Sequence, residues 1–362
     1  MPCLKVLLRR NCVCYNKVSV DPNSKGRYGQ YMSITPLPVF ADVRAAAERI
    51  KVTAIKTPIL RNAALDEAVG AEVFVKPECL QVTGSFKIRG ATNRISQITD
   101  PEQKRAGVVA FSSGNHAQGV SRAAKHFGMP SLIVMPSDAP MVKVEGVRRD
   151  NGEVVFYDRK RESREEIGGK IARDRGAIIV PSYDDPHIIA GQGTVGLEVA
   201  EALDAQGTPL DHYISCAGGG GLMAGTSLAF KEISPETKIW SAEPVGFDDH
   251  KRSIETGEIC GVDPDADSIC DAIMTPQPGD LTFAINKHNA SGGFAVTDDQ
   301  VRAAMRFAFK HLKLVVEPGG CVALASALYA LPDEMRGGRI GLVLSGGNVD
   351  AAVFSAILRE SA

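Results

Sequence analysis

Short apolar runs rich in β-branched and aromatic residues alternate with longer amphipathic stretches from about residue 36 to the end of the chain. The short runs predict buried strands, and apolar residues spaced three or four apart predict helices. The predicted strands span residues 72–75, 108–111, 131–135, 154–157, 177–180, 213–215, 239–242 and 340–344. The predicted helices span residues 41–50, 86–98, 115–127, 140–150, 161–175, 187–205, 221–232, 297–313 and 348–358. This alternation predicts an α/β fold with open, mostly parallel sheets and helices on both faces.

Two segments fall outside the alternating pattern. Residues 1–31 contain six Lys and Arg residues against one Asp, a net charge of +5, and Pro22 and Gly26 interrupt any long helix there. We therefore predict an unstructured N-terminal extension, with an organellar targeting segment as the alternative. Residues 257–289 combine several Asp, Pro and Gly residues with little periodicity, which indicates a long ordered loop of the kind that borders active sites.

Composition narrows the class of protein. The 362 residues are 44% hydrophobic with a formal net charge of −2, and no apolar stretch approaches the roughly 18 residues that span a bilayer. We therefore expect a soluble protein that binds neither nucleic acid nor a membrane. Five of the eight Cys residues are scattered singly along the chain, which indicates a reducing compartment and favours the cytoplasm. Cys12 and Cys14 form a C-x-C pair without a second Cys/His pair at zinc spacing nearby. The length exceeds that of a usual single core, so two lobes are expected.

A lysine lies at the start of one predicted helix. Lys87 follows the turn at residues 83–86, where the positive end of the helix dipole lowers the pKa of an amine. The lower pKa favours the neutral form that reacts with aldehydes. Taken alone, this turn is more typical of a surface lysine at a helix start.

Polar loops follow three of the predicted strands. The loop at residues 112–119 offers hydroxyl, amide and backbone N–H donors to an anion, and a simple Asn cap is its alternative. Four successive glycines at 218–221 allow backbone N–H groups to surround a phosphate. A dinucleotide-binding turn and a turn without ligand are the alternatives there. A third loop begins at Ser345. Together with Lys87, these loops indicate a site for a small phosphorylated cofactor that carries an aldehyde.

Four motifs in this order resemble those of a known enzyme family. They are GSFKIRG at 84–90, SSGNH at 112–116, GGGG at 218–221 and SGGN at 345–348. The chain resembles the fold-type II pyridoxal-phosphate enzymes, specifically the threonine dehydratase and serine racemase family, from about Pro36 to its C-terminus.

The resemblance implies a particular domain organisation. A large cofactor-binding domain is expected to comprise residues 32–105 and 185–362. A small domain that closes over the substrate is expected at residues 106–184, and the cofactor is expected between the two. A homodimer or homotetramer is expected.

The resemblance also implies roles around pyridoxal 5′-phosphate. Lys87 is implied to bond the cofactor aldehyde and to act as the catalytic base. Phe86 packs on the ring, Asn115 binds the ring hydroxyl, and Ser345 faces the pyridine nitrogen. A serine hydroxyl is too weak an acid to protonate pyridine, which favours elimination chemistry. The residues implied to bind the cofactor are Phe86, Lys87, Asn115, Gly218, Gly219, Gly220, Gly221, Leu222 and Ser345.

A cation site is implied by the same resemblance. In metal-dependent members of the family, a Glu, a backbone carbonyl four residues later and an Asp two further on bind the ion. These positions correspond to Glu243, the carbonyl of Phe247 and Asp249. Oxygen ligands of this kind suit Mg²⁺ or Ca²⁺. A solvated acidic loop is the alternative.

The expected reaction is α,β-elimination from a small hydroxy amino acid. The substrate carboxylate is expected to meet Ser112, Asn115 and His116, with Arg164 closing over it from the small domain. We expect an ammonia-lyase that converts L-threonine and L-serine to 2-oxobutanoate and pyruvate.

Ser113 introduces an alternative activity. In the racemases of the family, a serine at this position protonates Cα on the face opposite the lysine. The alternatives are therefore a serine racemase, from whose pattern residues 270–276 depart, and a 3-hydroxyaspartate dehydratase.

Overall fold

The computed structural model describes residues 36–112, 114–139 and 141–360. The predicted N-terminal extension at residues 1–31 and the predicted second acid, Ser113, lie outside these residues. Within the described ranges, no helix combines the length and the apolar character that a membrane crossing requires.

The strands of the described residues form two parallel sheets. They are β1 (Glu72–Pro77), β2 (Val108–Phe111), β3 (Ser131–Pro136), β4 (Glu153–Tyr157), β5 (Ile178–Ile179), β6 (His212–Cys216), β7 (Lys238–Pro244), β8 (Ala290–Val296) and β9 (Arg339–Leu344). One sheet has the order β1-β9-β6-β7-β8, and the other has the order β4-β3-β2-β5. Neighbouring strands in both sheets run parallel. The predicted α/β class is confirmed.

Helices connect these strands and cover the sheets. They are α1 (Phe40–Ile50), α2 (Ala63–Val69), α3 (Lys87–Ile95), α4 (Pro101–Ala106), α5 (Asn115–His126), α6 (Met141–Arg149), α7 (Arg164–Arg175), α8 (Pro186–Asp204), α9 (Gly221–Ile233), α10 (Asp249–Thr256), α11 (Asp280–Asn289), α12 (Asp298–Phe307), α13 (Pro318–Tyr329) and α14 (Ala351–Arg359). Many of them begin with an identifiable cap. The side chain of Asp185, for example, accepts hydrogen bonds from the first turn of α8, and Pro186 occupies the next position.

The hydrophobic pattern missed some elements. Two central glycines in β8 hide its alternation, and α13 is buried on nearly every face, so it lacks a helical period. The short helices α2, α4 and α10 were also missed. The loop predicted at 257–289 is wrong in its last part, where α11 begins at Asp280. The helix predicted at 297–313 ends as an α-helix at Phe307 and continues as a π-helical turn over Ala308–Leu312.

The two sheets draw on different parts of the chain. The four-stranded sheet comes from within residues 106–184, and the five-stranded sheet takes its strands from both sides of that segment. This arrangement supports the division into a large domain (32–105 and 185–362) and a small one (106–184), which remains a prediction.

Helices α8 and α9 pack closely through glycine. A Cβ atom on Gly193 would lie 2.6 Å from the carbonyl oxygen of Gly225, so a larger side chain would separate the helices. Helix α9 follows directly on the glycine turn after β6, and this contact fixes the position of that turn. Because β6 lies between β9 and β7, the loops after these three strands emerge side by side at one edge of the sheet.

Candidate active site

Lys87 is the first residue of α3, and its side chain is partly buried. Its Nζ donates a hydrogen bond to the carbonyl oxygen of Ser182 at 2.8 Å and lies 5.2 Å from the centre of the Phe86 ring. Burial lowers the pKa of Lys87 to about 8. A substantial fraction of the amine is therefore neutral near physiological pH, as a nucleophile or base requires.

A buried ion-pair cluster holds α3 in position behind Lys87. The fully buried guanidinium of Arg89 contacts the carboxylate of Glu78 at 2.7 and 2.8 Å and that of Glu198 at 2.7 and 3.0 Å. Lys76 Nζ lies 2.6 Å from the Glu198 carboxylate. Because Glu78 follows β1 and Glu198 lies on α8, the cluster ties α3 to the sheet and to a second helix.

Asn115 begins α5 and joins two other loops. Its Nδ2 donates to the carboxylate of Glu317, and its Oδ1 accepts from Asn348 Nδ2 at 2.8 Å. These bonds leave one amide hydrogen of Asn115 for a ligand. Burial raises the pKa of Glu317 to about 7, and its Oε2 has no hydrogen-bond partner among the described residues. No sequence pattern indicated a role for Glu317, since a Glu before Pro-Gly-Gly is typical of any helix start.

The hydrogen bonds of Ser112 and His116, in the loop after β2, limit the predicted role of His116 in substrate binding. Ser112 Oγ accepts a hydrogen bond from the backbone N–H of Gly114 at 3.2 Å. His116 Nε2 donates to the carbonyl oxygen of Val180 at 2.9 Å, and burial lowers the pKa of the ring to about 3. The neutral ring carries its only N–H hydrogen on Nε2, so the side chain has none to give to a carboxylate. A role of His116 in substrate binding is therefore confined to its backbone N–H.

The glycine turn forms a backbone cradle at the start of α9. Gly220 has a φ of 87°, in the left-handed region that favours glycine. A Cβ atom on Gly219 would lie 2.2 Å from the ring of Tyr183, and one on Gly220 would lie 2.3 Å from the ring of His250. The first N–H groups of α9 have no acceptor within the helix and are available to an anion. The cradle therefore fits a phosphate group. Sequence reasoning identified neither Tyr183 nor His250.

Backbone pairing brings the loop of Ser345 against the loop of Lys87. The N–H of Phe86 donates to the carbonyl of Ser345 at 3.1 Å, and the N–H of Gly347 donates to that of Gly84 at 2.8 Å. The hydroxyl of Ser345 is also close enough to the thiol of Cys216, at the end of β6, to interact with it electrostatically. The structure thus brings together the predicted lysine, the loop of Asn115, the glycine turn and Ser345.

Arg164 lies at the margin of this cluster. It begins α7, and its Nε lies 2.9 Å from the carboxylate of Glu165. Tyr183, which packs on the glycine turn, is close enough to interact with it electrostatically. In the part of the chain that the structure describes, no hydrogen bond joins Arg164 to the loop after β2.

Lys143 is a second cation beside that loop, and the sequence did not reveal it. Its side chain is only 3% exposed, and Nζ donates to Asp271 Oδ2 at 2.6 Å. A Cβ atom on Gly114 would lie 3.3 Å from the same Nζ. Lys143 therefore lies within reach of a ligand carboxylate at the loop after β2.

The predicted cation ligands lie close together in a buried position. Glu243 accepts hydrogen bonds from the backbone N–H groups of His250 and Lys251 at 2.8 Å each and from Ser241 Oγ at 3.0 Å. Both carboxyl oxygens of Asp249 are buried without a partner among the described residues. Burial raises the pKa of Asp249 to about 7. Burial, and then the charge of Asp249, raises that of Glu243 well above its usual range.

Two buried carboxyl groups, of which Asp249 has both oxygens unpaired among the described residues, fit a hard divalent cation. The described ranges hold no cluster of three or more His, Cys, Asp or Glu residues suited to a metal. A cation between Glu243 and Asp249 would therefore also need backbone oxygen, such as the carbonyl of Phe247, and water. These ligand assignments remain predictions.

The class of protein follows from a comparison with family models. A model described as pyridoxal-phosphate dependent enzyme matches residues 50–346. Because this match covers most of the chain, the protein belongs to the pyridoxal-phosphate dependent enzymes, and pyridoxal phosphate is its cofactor. The resemblance inferred from the four motifs is confirmed.

Comparisons with individual proteins show which members of the family this chain is similar to. The chain is 44% identical over 320 residues to an L-threo-3-hydroxyaspartate ammonia-lyase from Pseudomonas sp., covering 88% of this chain and 98% of the relative. It is 39% identical over 324 residues to a serine racemase from Schizosaccharomyces pombe, covering 90% and 98%. The solved structure of maize serine racemase matches with a TM-score of 0.82 at 36% identity, covering 89% and 97%. The protein is similar to ammonia-lyases and racemases alike.

Proposed function

We propose that the protein is an ammonia-lyase with L-threo-3-hydroxyaspartate as its preferred substrate. It eliminates water from L-3-hydroxy amino acids to give an enamine, and hydrolysis of the corresponding imine takes one water back and releases ammonia and a 2-oxo acid. The observation that carries the reaction type is a lysine with a pKa of about 8 beside a phosphate cradle and two polar loops. Similarity to the Pseudomonas ammonia-lyase over nearly the full length of both chains supports the substrate. This substrate takes precedence over the threonine and serine expected from the motifs.

Each group in the site has a proposed task. Pyridoxal phosphate, when bound, withdraws electrons from Cα of the amino acid and so acidifies its proton. The backbone of residues 218–222 would hold the phosphate, and the second amide hydrogen of Asn115 would be available to the ring hydroxyl. The neutral amine of Lys87 takes the Cα proton. Ser345 would face the pyridine nitrogen, and because a serine hydroxyl is too weak an acid to protonate pyridine, the bound cofactor would supply only moderate electron withdrawal, which would favour departure of the β-hydroxyl together with the Cα proton.

A dicarboxylate substrate needs two anionic anchors. Ser112 and the backbone N–H groups at the start of α5 are proposed to hold the α-carboxylate. Lys143, beside this loop, and Arg164, at the margin of the site, are proposed as the cations that pair with the second carboxylate. The side chains of threonine and serine carry no carboxylate that could pair with these cations.

A substrate comparison tests the proposed preference. We expect kcat/KM for L-threo-3-hydroxyaspartate to exceed the values for L-threonine and L-serine by about tenfold or more, since a site built for a charged group discriminates strongly against substrates that lack it. Keto acid and ammonia are measured together.

Arg164→Ala supplies the matched variant for this comparison. Its kcat/KM for 3-hydroxyaspartate should fall more than its value for serine. Highest kcat/KM with threonine in the unmodified enzyme would contradict the proposed substrate and restore the threonine and serine ammonia-lyase.

Serine racemisation is a second candidate activity, supported by the similarity to serine racemases. Inversion needs an acid on the face of Cα opposite Lys87, and Ser113 is proposed to be that acid. We expect Ser113→Ala to abolish D-serine formation and to spare much of the elimination rate, as followed by deuterium incorporation at Cα of recovered serine. Equal loss of both activities would show that Ser113 has another role.

The cation site is proposed to bind Mg²⁺ or Ca²⁺ through Glu243, the carbonyl of Phe247 and Asp249. Removal of the ion leaves two buried carboxyl groups that repel one another, so chelation should lower the midpoint of thermal unfolding and Ca²⁺ should restore it. Glu243→Ala should abolish this response to Ca²⁺. If chelator changes neither the midpoint nor activity, the site is only a buried acidic turn.

Two observations on the described residues support proposals about the cellular compartment and the oligomeric state. Five described cysteines, Cys79, Cys216, Cys260, Cys270 and Cys321, are free thiols, which supports a reducing compartment such as the cytoplasm. Large apolar side chains are exposed on the five-stranded side, including Phe309, Tyr329 and Val353 at 45%, 45% and 48%. Such exposure supports a homodimer or homotetramer.

A further inference from the structure

Helix α10 extends from the cation site toward the glycine turn. Its first residue, Asp249, carries two buried oxygens without described partners, and the next two backbone N–H groups donate to Glu243 at 2.8 Å each. An ion held between Glu243 and Asp249 would therefore contact the first turn of α10 in two ways. It would bind Asp249 directly, and it would bind Glu243, which accepts hydrogen bonds from the next two backbone N–H groups. The position of this turn depends on whether the carboxyl charges are compensated.

His250 belongs to the same turn, and its imidazole lies against Gly220. The side chain is fully buried, and a Cβ atom on Gly220 would lie 2.3 Å from Cε1 and 2.5 Å from Nε2 of His250. The backbone of Gly218 and Gly219 is close enough to influence the ring electrostatically. Neither ring nitrogen has a hydrogen-bond partner among the described residues. The imidazole thus supports the glycine turn from behind.

Helix α11 supports the same turn by a separate route. Thr282 Oγ1 donates to the carbonyl oxygen of Gly219 at 2.6 Å, and Asn286 Nδ2 donates to that of Gly220 at 3.3 Å. These bonds fix the carbonyl side of the turn. Of the two supporting helices, α10 is the one that also carries a proposed cation ligand.

We propose that His250 couples the two sites, so that a divalent cation at Glu243 and Asp249 and the cofactor phosphate at the glycine turn each strengthen the binding of the other. The inference rests on the proposed cation site. The bound cation orders the first turn of α10, which holds His250 against Gly220. The glycine turn then keeps the conformation in which its N–H groups converge on the phosphate. Such coupling is reciprocal, so the factor is the same in both directions.

The experiment is a binding cycle that does not depend on turnover. The dissociation constant of pyridoxal phosphate is measured by fluorescence in excess Ca²⁺ and in chelator. The dissociation constant of Ca²⁺ is measured by calorimetry for apoenzyme and holoenzyme. We expect Ca²⁺ to tighten cofactor binding at least about fivefold, and the cofactor to tighten Ca²⁺ binding by the same factor.

Two variants assign the coupling to His250. His250→Ala should reduce the factor to about one, and His250→Gln, which fills more of the space, should give an intermediate value. His288→Ala, on the exposed end of α11, should keep the factor of the unmodified protein. Circular dichroism checks that each variant is folded.

The outcomes separate the proposal from its premise. If Ca²⁺ does not bind the unmodified protein, the cation site is wrong and the coupling falls with it. If Ca²⁺ binds but leaves cofactor affinity unchanged, the cation site stands and the coupling is refuted, whatever the variants do. If His250 has only a structural role, its replacement will weaken cofactor binding equally with and without Ca²⁺. The coupling factor of the variants would then equal that of the unmodified protein, and the proposal would be overturned.

Discussion

Replacement of Lys87 by Ala is expected to lower kcat for ammonia release by about 10³-fold or more, because the variant has no base at the position that receives the Cα proton. Burial lowers the pKa of Lys87 to about 8, so near neutral pH the wild-type amine is partly deprotonated. Alanine also removes the group that bonds the cofactor aldehyde. The measurement is the rate of ammonia and keto acid formation at saturating substrate.

The Lys87 variant should still bind pyridoxal phosphate noncovalently, since the glycine turn and Asn115 are unchanged. Lys104→Ala, on the exposed surface of α4, is the control and should keep full activity. Retention of more than about a tenth of wild-type kcat in Lys87→Ala would contradict the assigned role.

The second large effect concerns the ion-pair cluster behind Lys87. Arg89→Met should lower the free energy of unfolding by about 3–5 kcal/mol, because Glu78 and Glu198 lose the guanidinium that both of them contact. Glu78 is fully buried, so its charge has no access to water. Urea unfolding followed by fluorescence measures this change.

Two comparisons sharpen the Arg89 experiment. Arg44→Met breaks the exposed pair between Arg44 and Glu201, whose side chains are 55% and 43% exposed, and should cost about 1 kcal/mol or less. Glu78→Gln in the Arg89→Met background should recover part of the loss, since the amide carries no charge. A loss for Arg89→Met no larger than that for Arg44→Met would show that the cluster does not stabilise α3.

The local sequence was sufficient to predict those residues of the site that lie between a strand and the helix that follows it. Lys87, Asn115 and Gly221 each begin a helix in the structure, at the junctions where the pattern changes from apolar run to amphipathic stretch. Parallel order then brings such junctions to one edge of the sheet. The α/β class and most strand positions were predictable for the same reason.

Residues that reach the site from distant parts of the chain were not predictable in this way. Glu317 contacts Asn115 from 202 positions away, and Lys143 pairs with Asp271 from 128 positions away. Tyr183 and His250 face the glycine turn only because β5, α10 and the turn meet in three dimensions. A single polar residue within an apolar or irregular segment belongs to no periodic pattern or motif from which its partner in the fold could be predicted.

The most direct test of the central claim is to reduce the holoenzyme with borohydride and map the attached cofactor by peptide mass spectrometry. A cofactor bonded to Lys87 beside the glycine turn predicts a phosphopyridoxyl group on the peptide that contains Lys87, and no such group in Lys87→Ala. Attachment to a different lysine, or no attachment after reconstitution with pyridoxal phosphate, would contradict the assignment of Lys87 and the glycine turn as the active site.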